Sequence, residues 1–499
     1  MLTSADPRTG RAWPTGIEAT DAVTVATTAA AASKAFAVTR WSTRAWRAGL
    51  LDAIAVALES HREELTGVAD RETGLGAARL AGEVGRSAFQ FRLFADALRE
   101  GSYVEATIDH AETTELGPQP EIRRMLVPIG PVAVFGSSNF PFAFSVAGGD
   151  TASALAGGNT VVLKAHGSHL ETSARSFEVI SDAVAGYGGP AGTIGIVYGT
   201  EAGRVLVSDP HIRAVGFTGS LTAGRALIDI INQREEPIPF YGELSSLNPL
   251  VITPAAAAAR ADAIADGLFG SYTLGAGQFC TKPGVAFIPV GADGDRIVAG
   301  LVERTTAANA QVLLNERIVT SFGEIRDRLI AAGAASIAVA GAVDSSGFAA
   351  SPTVLAIDAD AISPAVAEEA FGPLVVVARY DDLEEIYAAL DAVPDSLTAT
   401  IHHEPGEPID ALVRELAPHA GRIVFNGYPT GVRVSWGQHH GGTWPSTNSQ
   451  HTSVGVSAIR RFLRPIAFQG APESVLPSEL REENVDGVPR RVDGRLRIG

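Results

Sequence analysis

Residues 131–164 read PVAVFGSSNFPFAFSVAGGDTASALAGGNTVVLK, and this segment predicts a βαβ unit. Val132–Phe135 is a short apolar strand, Ser137–Phe142 is a turn, Ala143–Ala156 is a helix of small residues, and Thr160–Lys164 is the next strand. Two strands joined through a helix by short connections pair in parallel. The segment therefore predicts an α/β fold built on a parallel sheet.

The same alternation of strand and helix continues along the chain. Strands Thr193–Tyr198 and Ile212–Phe217 and helix Leu221–Ile231 extend it, and further βα units run through the second half. Repeated units of this kind predict a Rossmann-like nucleotide-binding sheet. Neither a G-x-G-x-x-G after the first strand nor a P-loop is present. The predicted phosphate contact is instead Gly219-Ser220, at a helix start where backbone N–H groups attract anions.

The composition predicts a large soluble protein with a negative field. The chain has 499 residues, 46% of them hydrophobic and 19% charged, and its formal net charge is −17. A negative field repels polyanions, which argues against binding to nucleic acid or to an anionic membrane. The apolar stretch Val23–Ala37 is interpreted as an alanine-rich helix, and no apolar run reaches the ~20 residues of a membrane helix. One cysteine permits no internal disulfide, and no zinc-binding pattern is present. We therefore expect a cytoplasmic protein without a bound metal.

The single cysteine lies in the octapeptide Gly277-Gln278-Phe279-Cys280-Thr281-Lys282-Pro283-Gly284. A lone cysteine is usually a small buried hydrophobic residue, whereas a nucleophilic one needs a positive charge, a dipole or a base beside it. Only three residues of the chain are lysine, and Lys164 and Lys282 are two of them. Lys282 is either a cation that lowers the pKa of the thiol or an ordinary surface lysine.

Three further residues have the chemistry that a cysteine nucleophile requires. Asn139 follows the first strand and can offer its amide to an oxyanion, together with the backbone N–H of Cys280. Glu243 lies in an apolar segment, where burial is expected to raise its pKa and make it a base that activates water; the alternative is a salt-bridged carboxylate. His440 can orient or polarise the thiol, although a single loop histidine is more often inert.

These residues belong to an ordered set of motifs that resembles the aldehyde dehydrogenase superfamily. The motifs are Asn139-Phe140-Pro141, Lys164, Phe217-Thr218-Gly219-Ser220, Glu243-Leu244, Gly277-Gln278-Phe279-Cys280 and Glu369-Ala370-Phe371-Gly372-Pro373. They follow the family's order and approximate spacing, and the resemblance spans about Val23 to Phe468. Within the family, Lys164-Ala165-His166, the Ser-Ser-Leu-Asn-Pro run after Glu243 and His440-Gly441-Gly442 resemble the branch of NADP-dependent fatty aldehyde and α-ketoglutaric semialdehyde (2,5-dioxopentanoate) dehydrogenases.

The resemblance implies a mechanism and a set of site residues. Cys280 attacks the aldehyde, Asn139 holds the oxyanion of the thiohemiacetal, hydride passes to the nicotinamide, and Glu243 activates the water that hydrolyses the thioester. The implied cofactor contacts are Lys164 at the adenosine ribose with His166 in the same motif, Gly219 and Ser220 at the pyrophosphate, and Glu369 and Phe371 at the nicotinamide ribose.

Two departures from the family pattern concern the cofactor and the base. Many NAD-preferring relatives carry a glutamate three residues after the lysine, and here that position is Gly167. A carboxylate there would repel a 2′-phosphate, so its absence favours NADP, with NAD still possible. Arg204 and Arg213 are candidate phosphate partners, with ordinary surface arginines as the alternative. The usual Glu-Leu-Gly-Gly is Glu243-Leu244-Ser245-Ser246, which leaves the packing around Glu243 open.

The resemblance also implies domains, an oligomer and a reaction. A cofactor-binding domain is predicted over residues 1–103 and 130–245, a catalytic domain over 246–445, and a small β oligomerisation element with the tail over 104–129 and 459–499. We expect a homodimer or homotetramer that oxidises α-ketoglutaric semialdehyde with NADP. A fatty or broad-range aldehyde dehydrogenase, a reductase of activated acyl groups and a non-catalytic member of the fold remain as alternatives.

Overall fold

The computed structural model describes residues 1–341 and 347–498, which form 23 strands and 13 α-helices. The strands are, in chain order, β1 (Thr3–Asp6), β2 (Arg11–Pro14), β3 (Thr107–Asp109), β4 (Glu112–Thr114), β5 (Gly117–Gln119), β6 (Ile122–Pro128), β7 (Val132–Phe135), β8 (Val161–Lys164), β9 (Ile194–Val197), β10 (Ala214–Thr218), β11 (Phe240–Glu243), β12 (Leu250–Ile252), β13 (Val285–Pro289), β14 (Gln311–Val312), β15 (Ala335–Val339), β16 (Ala349–Ala350), β17 (Thr353–Asp358), β18 (Leu374–Tyr380), β19 (Ser396–His402), β20 (Ala420–Phe425), β21 (Leu463–Gln469), β22 (Arg490–Val492) and β23 (Arg495–Arg497). The helices are α1 (Ala22–Thr39), α2 (Arg44–Ser60), α3 (Arg62–Thr73), α4 (Ala77–Glu100), α5 (Gly149–Ala156), α6 (Leu170–Gly186), α7 (Thr200–Ser208), α8 (Leu221–Asn232), α9 (Pro254–Thr273), α10 (Ala292–Ala307), α11 (Glu316–Ala331), α12 (Leu383–Leu390) and α13 (Asp410–Leu416).

A parallel five-stranded sheet in the order β11-β10-β7-β8-β9 confirms the predicted Rossmann-like α/β fold. All four residues of β7 are apolar and buried, because helices cover both faces of the sheet. The chain runs outward from β7 to β9 and returns to β10 on the other side of β7. Ligands bind outside the carboxyl ends of parallel strands at such a reversal, and this is where Asn139 and Gly219 lie.

Helix α1 has the length and composition of a membrane-spanning helix, with a mean hydropathy of 1.2 over its 18 residues. One such helix is weak evidence, because a core helix passes the same test. Val25, Ala29 and Ala32 pack α1 against the apolar core of the five-stranded sheet. These contacts lie on one stripe of the helix, and 28% of its residues are buried.

A second sheet has seven strands in the order β15-β17-β18-β13-β12-β19-β20, parallel except for β15. Phe287 and Ile401 belong to the core on one face, and Ala286 packs with helices α9 and α10 on the other. The octapeptide lies between α9 and β13. The strand and helix order thus delivers Cys280 to a loop between the two large sheets.

A third sheet, in the order β21-β6-β3-β22-β23, uses the chain's own tail. Strand β21 pairs with β6 over seven residues, from Leu463 opposite Pro128 to Gln469 opposite Ile122. Strand β22 pairs in parallel with β3. The polar tail, which the sequence analysis assigned to the oligomerisation element, therefore packs on its own chain through β22.

One predicted element boundary was wrong. The helix predicted from Ala143 begins only at Gly149, because Glu83 Oε1 accepts hydrogen bonds from the backbone N–H groups of Phe142 and Ala143 at 2.8 and 2.9 Å. The chain begins with the β1–β2 hairpin, and β21 begins at Leu463 after a 3₁₀ helix.

Candidate active site

A cavity of about 1160 Å³ contains most of the predicted site residues. It lies along the carboxyl ends of β7, β8 and β10 and reaches the octapeptide loop. The predicted residues that line it are Asn139, Lys164, His166, Arg204, Gly219, Ser220, Glu243, Cys280, Glu369 and Phe371. Residues that are far apart in sequence therefore share one cavity, which is the arrangement that a two-substrate enzyme needs.

Cys280, His440 and Glu243 form a contiguous polar chain. Cys280 Sγ lies 3.5 Å from His440 Nε2, and that nitrogen lies 3.0 Å from Glu243 Oε1. The other Glu243 oxygen accepts a 2.5 Å hydrogen bond from Ser453 Oγ. His440 is not a cavity-lining residue and reaches the thiol from behind. Because an ionised carboxylate only accepts hydrogen bonds, Nε2 donates to Glu243, and the acceptor within reach of the thiol proton is the Glu243 carboxylate, which shares a hydrogen bond with Cys280.

The pKa of Glu243 is shifted in the direction opposite to the one expected from the sequence. Burial alone would raise the pKa of Glu243, but the His440 charge and the hydrogen bonds from His440, Ser453 and Cys280 outweigh it and lower the pKa to about 2. Burial and the Glu243 charge raise the pKa of Cys280 well above its ordinary value. The resting site therefore contains an ionised Glu243 and a protonated thiol, and the prediction of a raised Glu243 pKa was wrong.

Asn139 presents its side-chain amide to the octapeptide loop. Its Nδ2 donates to the carbonyl oxygen of Gln278, two residues before the nucleophile, at 2.9 Å. An amide nitrogen has two N–H groups, so one remains for another acceptor. Arg79 Nη2 donates to the Asn139 carbonyl at 2.7 Å and holds the turn. This is a geometry that suits an oxyanion donor.

Lys282 points away from the thiol. Its buried Nζ donates to the carbonyl oxygens of Ala370 and Leu374 at 2.9 and 2.8 Å. Burial lowers its pKa to about 8, and the Glu369 charge partly opposes this shift. Neither sequence alternative, a cation that activates the thiol or a surface lysine, describes it. Lys282 fastens the octapeptide to the loop that carries Glu369.

Two residues that position the nucleophile were missed by the sequence analysis. Asn248 has a left-handed backbone, with φ 57°, and its Nδ2 donates to the carbonyl oxygens of Cys280 and Lys282 at 2.8 and 2.9 Å. Gly277 has φ 67°, and a Cβ there would lie 2.2 Å from the carbonyl oxygen of Gly372. The asparagine after Ser-Ser-Leu offered a weak sequence signal, while nothing in the sequence indicated that Ser453 contacts Glu243.

The remaining cavity residues fit a dinucleotide. Ser220 Oγ accepts from the backbone N–H of Ala223 at 3.3 Å and caps α8, whose first turn opens into the cavity. Lys164 ends β8, and burial lowers its pKa. Glu369 Oε2 accepts from the backbone N–H of Ser246 at 3.0 Å and from the Ser245 hydroxyl. The two serines that replace the usual glycines thus hold Glu369 in the cavity wall.

The two candidate phosphate arginines have different positions. Arg204 lines the cavity and is exposed, with only a 3.7 Å contact to Glu201. Arg213 precedes β10, at the amino edge of the sheet, and pairs with Glu236 at 2.7 Å. Arg213 is therefore not a cofactor contact, and that prediction was wrong. Arg317, from α11, lines the cavity and was missed.

The catalytic chain also forms a possible set of metal ligands. The thiol sulfur, one imidazole nitrogen and one carboxylate oxygen of Cys280, His440 and Glu243 lie within 4.8 Å of one another. Sulfur, nitrogen and oxygen donors of this kind suit Zn²⁺. The sequence analysis expected no metal site because no local motif brings these three residues together.

Comparisons with known proteins agree with this geometry. The model of the aldehyde dehydrogenase family matches residues 2–465. The chain is 43% identical to α-ketoglutaric semialdehyde dehydrogenase 2 of Azospirillum brasilense, and the match covers 93% of this chain and 90% of that protein. It is 40% identical to α-ketoglutaric semialdehyde dehydrogenase of Acinetobacter baylyi, and that match covers 94% of this chain and 90% of that protein. In fold it resembles a 1-pyrroline-5-carboxylate dehydrogenase from Thermus, with a TM-score of 0.80 at 22% identity over 94% of this chain and 89% of that one. By its matched span and its two close relatives, the chain belongs to the aldehyde dehydrogenase family.

Proposed function

We propose that this enzyme oxidises α-ketoglutaric semialdehyde to 2-oxoglutarate and prefers NADP. The observation that carries the chemistry is the 3.5 Å contact between the Cys280 thiol and His440, in a cavity shared with Asn139 and Glu243. The substrate is supported by the two relatives at 43% and 40% identity that carry its name. Their similarity over most of the chain favours it over a fatty aldehyde.

The chain's own residues divide the reaction between them. NAD(P) accepts a hydride when it is bound. Cys280 gives its proton to the ionised Glu243 carboxylate, with which the thiol shares a hydrogen bond, and attacks the aldehyde carbon, while the second N–H of Asn139 stabilises the developing oxyanion. Glu243 is a weak base while its pKa is held near 2. We infer that Glu243 passes this proton to solvent and activates water once the hydrogen bond from the Cys280 thiol, one of the contacts that lower its pKa, has been lost.

The preference for NADP is supported by charge and space near Lys164. A side chain on Gly167 would meet no heavy atom within 4 Å, so the position that holds a glutamate in many NAD-preferring relatives is open. Arg204 and Arg317 line the same cavity as Lys164. Arg204 and Arg317 can attract a 2′-phosphate, and no carboxylate at position 167 repels it. Both features favour NADP.

The assembly and location of the enzyme are part of the same proposal. Strand β21 is an edge strand whose outer backbone groups are available for pairing, which supports a homodimer or homotetramer. A nucleophilic cysteine needs a reducing compartment, which supports a cytoplasmic location.

A panel of substrates and cofactors tests the proposal. We expect kcat/KM to be highest for 2,5-dioxopentanoate with NADP, lower with NAD and lower again for a long-chain aldehyde. Cys280→Ser is the control for chemistry at sulfur. Faster turnover of the long-chain aldehyde contradicts the substrate, and a clear preference for NAD contradicts the cofactor.

A further inference from the structure

Arg86 is a cation beside the active site with no hydrogen-bonding partner in the described part of the chain. Its Nε and Nη2 are buried and make no hydrogen bond there. The guanidinium carbon lies 5.5 Å from the centre of the Phe140 ring and 5.3 Å from that of Phe144. Two aromatic rings therefore hold the guanidinium in place without satisfying its N–H groups.

The two rings belong to the wall around the nucleophile. Phe140 and Phe144 line the cavity that contains Cys280. Phe140 packs edge-on against Phe279, the neighbour of Cys280, with ring centres 5.3 Å apart. Burial lowers the pKa of Arg86, while the charges of Glu83, Cys280 and Glu243 raise it. Arg86 is thus close enough to the reacting sulfur for their charges to interact.

Two other cations nearby are already occupied. Arg79 donates to the Asn139 carbonyl, and Arg422 donates to the Pro429 carbonyl at 2.8 Å. Glu83 Oε1 accepts from two backbone N–H groups, while Glu83 Oε2 is buried without a hydrogen-bonding partner and forms no ion pair with Arg86 within the residues described. Burial raises the pKa of Glu83 and so disfavours its charged form. A buried cation with open donors is costly unless an anion reaches it. Arg86 does not line the cavity and its Nε and Nη2 are closed to solvent, but the residue is partly exposed and its Nη1 makes no hydrogen bond within the described residues, so an anion has access to Nη1.

We propose that Arg86 binds the carboxylate of the substrate and thereby selects an ω-aldehyde acid over a neutral aldehyde. This inference rests on the proposed function and names a residue for it. In 2,5-dioxopentanoate, carbon–carbon bonds of about 1.5 Å place the carboxylate about 5 Å from the aldehyde carbon. Phe140 and Phe144 then line the intervening carbons, and the planar guanidinium matches the carboxylate.

The test compares Arg86→Met with Arg92→Met. Arg92 lies on the same helix but pairs with Glu59 near the surface, so it controls for loss of a cation from α4. Each variant is assayed with 2,5-dioxopentanoate and with pentanal, which has the same length and no charge. We expect Arg86→Met to lower kcat/KM for the acid about 100-fold, mainly through KM, and to change that for pentanal by less than about threefold. Arg92→Met should leave the ratio of kcat/KM for 2,5-dioxopentanoate to kcat/KM for pentanal unchanged.

The ratio of the two kcat/KM values is independent of the amount of folded enzyme. If Arg86→Met does not fold, Arg86→Gln is assayed in the same way. If wild type prefers the acid and the Arg86 variants keep that preference, the inference about Arg86 is overturned while the proposed function stands. If kcat/KM of the wild-type enzyme is equal for pentanal and 2,5-dioxopentanoate, the proposed function and the inference both fail.

Discussion

Replacing Glu243 with glutamine should make Cys280 more reactive toward alkylating reagents. The Glu243 oxygen and the thiol sulfur lie within 4.8 Å, and two unit charges at that distance repel by roughly 3.5 kcal/mol at an effective dielectric constant of about 20. His440 and Ser453 already neutralise part of the carboxylate charge through hydrogen bonds. We therefore expect about 1 kcal/mol to be recovered, which corresponds to an increase of about fivefold in the alkylation rate at pH 7.

The assay is the rate of iodoacetamide alkylation followed by intact mass. Cys280 is the only cysteine, so each adduct reports on the active site. The pKa of Glu243 is about 2, so its charge is constant from pH 5 upward. The pKa of Cys280 is raised, so the wild-type rate should keep increasing with pH beyond the range in which an exposed cysteine titrates. Glu243→Gln should move that increase to lower pH.

Glu369→Gln is the matched control. The Glu369 charge also raises the pKa of the thiol, but less than the Glu243 charge does. A smaller acceleration than in Glu243→Gln is expected. If Glu243→Gln alkylates no faster than wild type, the Glu243 charge does not keep the thiol protonated, and this account of the resting site is refuted.

Three further predictions concern the cofactor and the octapeptide. Gly167→Glu has room for its side chain and should lower kcat/KM for NADP at least about tenfold with little effect on NAD, while Gly167→Gln should change neither much. Arg204→Met should raise the KM for NADP a few-fold, whereas Arg213→Met should leave it unchanged, because Arg213 lies at the opposite edge of the sheet. The pKa of Lys282 is lowered from 10.5 to about 8 in the folded protein. Between pH 8 and pH 10.5 the unfolded chain therefore binds more protons than the folded one. The contribution of Lys282 to the free energy of unfolding should increase by up to ~3 kcal/mol over that range. Urea titrations of wild type and Lys282→Met across that pH range measure this difference, and parallel curves would contradict it.

The fold and the proximity of Asn139 and Gly219 were predictable because both depend on strand order. Residues that follow parallel strands meet at one edge of a sheet, so Asn139 after β7 and Gly219 after β10 had to approach each other. The same rule explains the error at Arg213. Its predicted strand began at Ile212, which already placed Arg213 at the amino end, away from any ligand. The direction of the predicted strand by itself excludes Arg213 from the edge of the sheet where ligands bind.

Protonation states and long-range contacts were not predictable from the sequence. Burial of Glu243 was inferred correctly, but the direction of its pKa depends on His440 and Ser453, which approach it from a distant loop. Arg86 likewise gave no signal, because one arginine among many on a helix is usually at the surface. Such residues are recognised only when their partners, or the absence of partners in the described structure, are known.

The scarcity of lysine drew attention to Lys282, but its role differs from the predicted one. At Lys282 a compact ammonium fits between the carbonyl oxygens of Ala370 and Leu374, where a planar guanidinium would need more space. Gly277 closes the same contact, since any side chain there would collide with Gly372. The loop that bears the nucleophile and the loop that bears Glu369 are therefore a single packed unit. A change at Lys282 should alter cofactor binding and thiol reactivity together, because neither loop can shift without the other.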